Sequence, residues 1–302
     1  MSKVNRFRKA VAVGAALVSL AALTAACGGR AADNNTGQGK KAVKIAYINW
    51  DEDVALSNLY KTVLESKGYK VDLQLLDAGP IYAGLAKGDA DLFLDAWLPA
   101  THEKYWKEFG SQLEDLGVWY DNATLNLAVP TYVKDVNSIA DLKAKAADFG
   151  GKITGIEASA GETGIVQNNV IPKYGLNGTM SLLNSSTTAM LAGLEGAIKD
   201  QKPIVVTLWH PHWAYSRYQL KDLQDPQGAM GKGEQIHAVG RKGFGADFPA
   251  LANIAKNLKM TDQQLAALED AVQKAPKGQE ANAAKQWADQ NKEWVDKTFT
   301  GL

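Results

Sequence analysis

The sequence predicts an α/β protein of two lobes, each a mostly parallel sheet flanked by helices. Three observations predict it. From residue 44 onward, short runs rich in β-branched and aromatic residues alternate with stretches of helical apolar periodicity. That alternation occurs in two successive sets, each about 100 residues long, the usual size of a domain. The chain, 302 residues with 46% hydrophobic content, is long enough to bury two cores of that kind. Strands alternating with helices form largely parallel sheets covered on both faces.

The first set begins with Lys44–Trp50 (KIAYINW), read as a strand. Leu56, Leu59, Tyr60, Val63 and Leu64 recur at helical spacing, with Gly68 as the stop. Val71, Leu73 and Leu75 alternate as a strand, and a short helix follows around Ile81–Ala86. Asp91–Trp97 (DLFLDAW) is a strand, Thr101–Phe109 a helix and Asn126–Val133 a strand-like run. In the second set Ser138 can cap a helix carrying Ile139, Leu142 and Ala146. Lys152–Glu157 reads as a strand, Gly161–Ile171 as a helix, Met190 to Ile198 as another helix, and Pro203–Trp209 (PIVVTLW) as a strand. Thr261-Asp262-Gln263-Gln264 is a capping-box pattern, and a last helix is expected from about Gln279 to Phe299.

The N-terminus is an address. Lys3, Arg6, Arg8 and Lys9 precede an apolar run over residues 10–26, short for a membrane span and suited to a signal segment. The run ends in Leu23-Thr24-Ala25-Ala26-Cys27, which resembles a bacterial lipobox, whose cysteine is diacylated and becomes the mature N-terminus. Residues 1–27 are thus expected to be a lipoprotein signal peptide. Residues 28–43 lack apolar periodicity and read as a flexible tether with a reach of roughly 20 Å. Taking the four basic residues of 1–27 from the 33 in the chain leaves 29 against 33 acidic ones. The chain is therefore expected outside the cytoplasm, anchored by lipid to the cell membrane. The near-balanced charge argues against a nucleic-acid binder. One cysteine excludes an internal disulfide framework, and four histidines leave little for a metal centre.

Function is read from the strand ends. In open α/β sheets ligands bind beyond the carboxyl ends of the strands. Trp50, Trp97 and Trp209 each end a strand, and the turn Ala158-Ser159-Ala160-Gly161 opens a helix at a fourth such end. Three indoles on the ligand side of two sheets suit a quaternary ammonium, which carries full charge, has no N–H donor and is weakly hydrated. Each indole face contributes about 0.5–2 kcal/mol to such a cation. The helix start at Gly161 offers backbone N–H groups to a carboxylate. A cage and an anion pocket together describe a compact zwitterion such as a betaine.

The stretches INWDED, GDADLFLDAWLPATH, KITGIEASAG, PIVVTLWHPHW and EQIHAVGRKGF carry a resemblance. They are similar to the glycine-betaine/proline-betaine-binding proteins of bacterial ABC osmoprotectant importers, over residues 44 to about 260. The resemblance implies a two-lobed periplasmic-binding-protein fold, type II-like, that closes on ligand by a hinge and delivers it to a membrane permease. It implies that Trp50, Trp97 and Trp209 form the cage, that His102 contacts the ligand carboxylate, and that Gly161 and Glu162 offer backbone amides to it. It also implies lobe I over 44–130 and 237–302, lobe II over 131–236, and no cofactor. Glu162 departs from the hydrophobic residue usual there: it would repel a carboxylate if it faced the anion pocket, or simply suit the first helical turn if it pointed away.

Other readings of the same residues remain. Choline, carnitine or proline betaine would fit the same cage. His210 and His212 alternate and could share a metal, but no third ligand accompanies them locally. Asp51, Asp53, Asp95 and Glu157 lie near the expected cleft, and sugars also stack on tryptophan, so a secreted carbohydrate-active enzyme is the rival class. Trp106, Trp119, Trp213, Trp287 and Trp294 are assigned to packing.

Overall fold

The computed structural model describes residues 40–302. The expected signal segment, Cys27 and residues 28–39 of the expected tether lie outside the described residues. Ala42 and Val43, expected at the end of that tether, already belong to β1 (Ala42–Tyr47), and Val43 is buried. The strand ends before Trp50 because the Ile48 N–H is taken by the Asp53 carboxylate at 2.8 Å. Trp50 is thereby the N-cap of α1 (Asp51–Ser66), three residues beyond the strand whose end it was expected to form. The α1 stripe Leu56, Leu59, Tyr60, Val63 and Leu64 is buried as the periodicity predicts.

β2 (Lys70–Leu75), α2 (Ala78–Lys87), β3 (Leu92–Leu98) and α3 (Glu103–Phe109) complete the first set. β2 and β3 flank β1 in parallel, and every residue of β3 is buried. The next strand departs from expectation. β4 runs from Leu113 to Pro130, 18 residues, and serves two sheets: it pairs with β9 up to Ala123 and with β7 from Thr124. Its Asp, Gly and Asn residues look like turn signals, but they fall where the register shifts, and Gly117 sits at φ +119 in one such bulge. The strand bends there instead of ending.

The second set is β5 (Lys152–Thr154), α4 (Gly161–Ile165), β6 (Ser181–Leu183), the helix Thr187–Lys199, β7 (Val206–His210) and β8 (Leu220–Asp222). Ser138 forms its capping box with Asp141, but on a short 3-10 turn, Ile139–Leu142, in place of the expected helix. β9 (Glu234–Arg241) then returns to the first sheet. The strand order is β2-β1-β3-β9-β4-β7-β5-β6, with β8 on β4. The trios β2-β1-β3 and β6-β5-β7 are parallel, as βα alternation requires. β9 and β4, which carry the chain between the two sets, run antiparallel to their neighbours.

Two C-terminal helices, Asp262–Gln273 behind its Thr261/Gln264 capping box and Glu280–Gln290, pack on α1. The single helix expected up to Phe299 breaks at Asn291, whose side chain donates to the Trp287 carbonyl at 2.8 Å, and resumes as Lys292–Thr298. Trp287 and Trp294 still meet edge to face across the break, 5.7 Å apart. Among the described residues no helix is long and apolar enough to cross a membrane.

Candidate ligand-binding site

The ends of both parallel trios open on one small cavity. Its walls are Trp50 and Trp97 from the first set and Trp209 from the second, closed by Leu125, Ile156, Ala160 and Thr101, with Glu52 and Glu162 as its ionisable groups. Trp97 and Trp209 are each the penultimate residue of their strands, β3 and β7.

Each indole is held from behind. Trp50 stacks on His102 with ring centroids 5.6 Å apart and planes 25° apart. Trp209 meets His212 edge to face at 4.8 Å. Trp50 and Trp209, both on the cavity wall, have ring centroids 6.5 Å apart and planes inclined by 59°. The three ring N–H groups all donate to carboxylates: Trp97 to Asp95 at 3.0 Å, Trp209 to Glu52 at 2.8 Å and Trp50 to Glu157 at 3.4 Å. Two of these bonds cross between the sets, so the rings are oriented by the same contacts that hold the halves together.

His102, Gly161 and Glu162 are placed differently from one another. His102 is fully buried within Tyr82, Phe93 and Tyr105, behind Trp50, and does not line the cavity. Its Nδ1 accepts the Trp97 backbone N–H at 3.1 Å. Burial, with Lys104 nearby, holds its pKa down at about 3. The ring is therefore neutral, with its proton on Nε2. Gly161 is pressed against Thr101: a Cβ there would overlap the Thr101 carbonyl, so only glycine lets the helix start approach this closely. Glu162 turns inward. Its side chain is part of the cavity wall, 2% exposed, with the backbone N–H groups of Asn126 and Leu208 directed at its carboxyl.

The surroundings are acidic. Asp51, Glu52 and Asp53 occupy the first turn of α1, where the helix dipole favours carboxylates, and all three are buried. Burial pushes Glu52 up to about 8 against the pull of the Trp209 N–H. Burial likewise pushes Asp53 up to about 7 against the bonds from Ile48 and Ser57. Asp95, Glu162 and Glu269 are raised by burial first and by Glu52's charge second or third. Glu52 was the missed residue. Its signal is its place two positions after Trp50, in the first helical turn facing the same space.

His210 and His212 do not act together. His210 pairs with Asp222 at 2.8 Å, and His212 Nε2 lies 3.0 Å from Asp51. Among the described residues no group of three or more His, Cys, Asp or Glu is arranged to hold a metal. Trp213 is buried and donates to Asp51 at 2.7 Å, a packing and orienting contact.

Comparison with known proteins follows the geometry. Residues 41–290 match the family described as the substrate binding domain of ABC-type glycine betaine transport systems. The glycine betaine/carnitine transport binding protein of Listeria monocytogenes is 37% identical over 151 residues, half of this chain and 49% of that protein. Among solved structures, a glycine betaine/L-proline-binding protein from Borrelia burgdorferi superposes with TM-score 0.80 at 34% identity. It covers 86% of this chain and 99% of its own. A lactococcal homologue in its closed, glycine betaine-bound conformation superposes with TM-score 0.79, also at 34% identity, over 86% of this chain and all of its own. A choline-binding protein of an ABC transporter, 23% identical, shares the fold with TM-score 0.78. The architecture is the two-lobed periplasmic-binding-protein fold, and the chain belongs to the substrate-binding domain family of ABC-type glycine betaine transport systems.

Proposed function

We propose that this protein captures a compact quaternary-ammonium compound between its two lobes and hands it, chemically unchanged, to an ABC permease. The observation that carries the reading is the convergence of Trp50, Trp97 and Trp209, from three separate elements, on one small cavity. A trimethylammonium group brings charge without N–H donors, so π faces serve it better than hydrogen-bond acceptors alone. At about 0.5–2 kcal/mol per indole face, three faces supply a large part of the ~8 kcal/mol that micromolar binding needs. Lobe closure and the remaining contacts supply the rest.

On this reading the sheet of β1, β2 and β3 with the C-terminal helices forms one lobe and the sheet of β5, β6 and β7 the other. Ligand favours the closed form by touching both. His102 positions Trp50 and Trp97, and Gly161 lets α4 close on Thr101. Cys27 carries the lipid that keeps the protein at the outer face of the cytoplasmic membrane, within tether's reach of its permease. The glycine betaine-bound lactococcal homologue makes glycine betaine the reference compound. Isothermal titration with glycine betaine, choline, carnitine and proline betaine tests the proposal. Saturable binding of at least one is expected, together with a rise in melting temperature. No binding to any of the four would refute it.

A further inference from the structure

At the pole of the first strand set opposite the cavity, the fold presents a basic surface. β1 and β3 start there and β9 ends there. A crevice between their ends is lined by Lys40, Lys44, Lys87, Arg241 and Lys242 against Asp91 and Asp247. Both acids are already engaged. Arg241 pairs with Asp91 at 2.7 Å and with Asp247, which also takes Lys40 at 2.8 Å. Lys44, Lys87 and Lys242 are exposed and have no ion-pair partner among the described residues.

Positive charge is concentrated at this pole. Backbone bonds bring its segments together: Lys70 donates to the Lys41 carbonyl at 2.7 Å, and Arg241 to the Asp91 carbonyl at 3.0 Å. Residues 40–44, 67–70, 87–91 and 241–247 hold eight basic and three acidic residues, whereas the rest of residues 40–302 hold 20 and 29. An anionic surface therefore repels the protein in most orientations and attracts it in this one. The chain also enters here. Residues 28–39 connect Cys27 to Lys40, and a chain of that length extends at most ~45 Å. A lipid on Cys27 pulls on the fold at this same pole.

We propose that this pole docks on the anionic phospholipid headgroups of the bilayer in which the protein is anchored, with Lys44, Lys87 and Lys242 as its contacts. β1 and β3 run from the pole toward Trp50 and Trp97, so docking leaves the cleft turned away from the bilayer. A lysine near an anionic surface strengthens binding about fivefold, and the effect fades within a Debye length, ~8 Å at physiological salt. Three such lysines give roughly a hundredfold. That is too little to hold an unlipidated chain on membranes at physiological salt. It is enough to orient a protein that its lipid already confines to the surface. The proposal rests on the reading of Cys27 as the lipid-bearing residue, but its test is made without the lipid, so the two fail separately.

The test is co-sedimentation of the Cys27→Ser chain, purified from the soluble fraction, with vesicles of phosphatidylcholine alone or mixed equally with phosphatidylglycerol. Melting temperatures establish folding. At low salt, binding to the anionic vesicles is expected to exceed binding to the neutral ones at least tenfold, and to fall at least tenfold on raising salt to physiological strength. Combining Lys44→Glu, Lys87→Glu and Lys242→Glu is expected to weaken binding to the anionic vesicles at least tenfold. The same reversal at Lys134, Lys152 and Lys199, exposed lysines outside this pole, is expected to weaken it less than about threefold. Equal binding to the two vesicle types would overturn the proposal. Equal losses in the two triple variants would overturn it too, since net charge alone would then account for binding. Should the first triple variant not fold, its three single reversals carry the same comparison.

Discussion

Trp209, near the end of β7, donates its indole N–H to Oε2 of Glu52, in the first turn of α1, at 2.8 Å. The bond crosses the cleft, and Trp50 returns it by donating to Glu157 at 3.4 Å. Each half thus holds the other's aromatic wall by its polar edge. The bonds that orient these rings also join the two halves, so on the proposed reading changes to either are expected to appear in both affinity and closure.

Replacing any cage indole removes one π face and part of the cavity wall. Trp97→Ala is expected to weaken quaternary-ammonium binding at least tenfold, about 1.4 kcal/mol, as are Trp50→Ala and Trp209→Ala. Wild-type affinity in all three, measured by titration calorimetry, would contradict the cage.

Gly161→Ala tests closure separately from the walls. The added methyl would meet the Thr101 carbonyl oxygen, a backbone atom that cannot swing aside. Affinity is expected to fall at least tenfold with little loss of melting temperature, because the clash exists only when the lobes meet. Small-angle scattering with saturating ligand is expected to show a more open particle than wild type. An unchanged affinity would mean that the contact yields.

His102→Phe keeps a flat ring behind Trp50 but removes the acceptor of the Trp97 N–H, and of the Tyr82 hydroxyl, which lies 3.1 Å from the same nitrogen. Leaving a buried donor unpaired costs about 1–3 kcal/mol. Chemical denaturation is expected to show a loss of that order, and cation affinity to fall less than in Trp97→Ala. If His102 acts only through the ligand, stability would not move.

Stability of the ligand-free protein should depend on pH in a specific direction. Glu52 sits at about 8 and Asp53 at about 7 in the fold, against ordinary values of 4.5 and 3.8. Folding therefore favours their protonated forms. The stability they contribute is complete below about pH 4 and is lost as pH rises toward 8. Melting temperature is expected to decline between pH 5 and 8, and Glu52→Gln to flatten that decline. The carboxyls held low by partners, such as Asp115 and Asp270, act at lower pH, outside this window. A melting temperature that climbs across the window would contradict the assignment.

Cys27→Ser is expected to move the protein from the membrane fraction to the soluble extracytoplasmic fraction. Continued sedimentation with membranes would argue against a lipid anchor.

Much of this was legible in the chain because it is local. Helical stripes such as Leu56 to Leu64, the parallel trios and the Thr261 capping box depend on spacing within a few residues, and spacing is written in order. Trp50, Trp97 and Trp209 were identifiable as a set because strand ends in α/β sheets share one side. β4 was not legible beyond its second half: Gly117 and its polar neighbours look like a turn until β9 and the Lys256 backbone lie against them. The break at Asn291 was hidden for the same reason, since Trp287 and Trp294 keep helical spacing across it.

The sequence by itself determined most of the elements, their alternation, and the set Trp50, Trp97 and Trp209 near strand ends, because those follow from periodicity and backbone preference. Only the tertiary structure decided which way Glu162 faces, that His102 stands behind Trp50 and not beside the ligand space, and that Glu52 joins Trp209. Each of those depends on residues distant in the chain meeting at hydrogen-bond range, and no spacing within one segment encodes such a meeting.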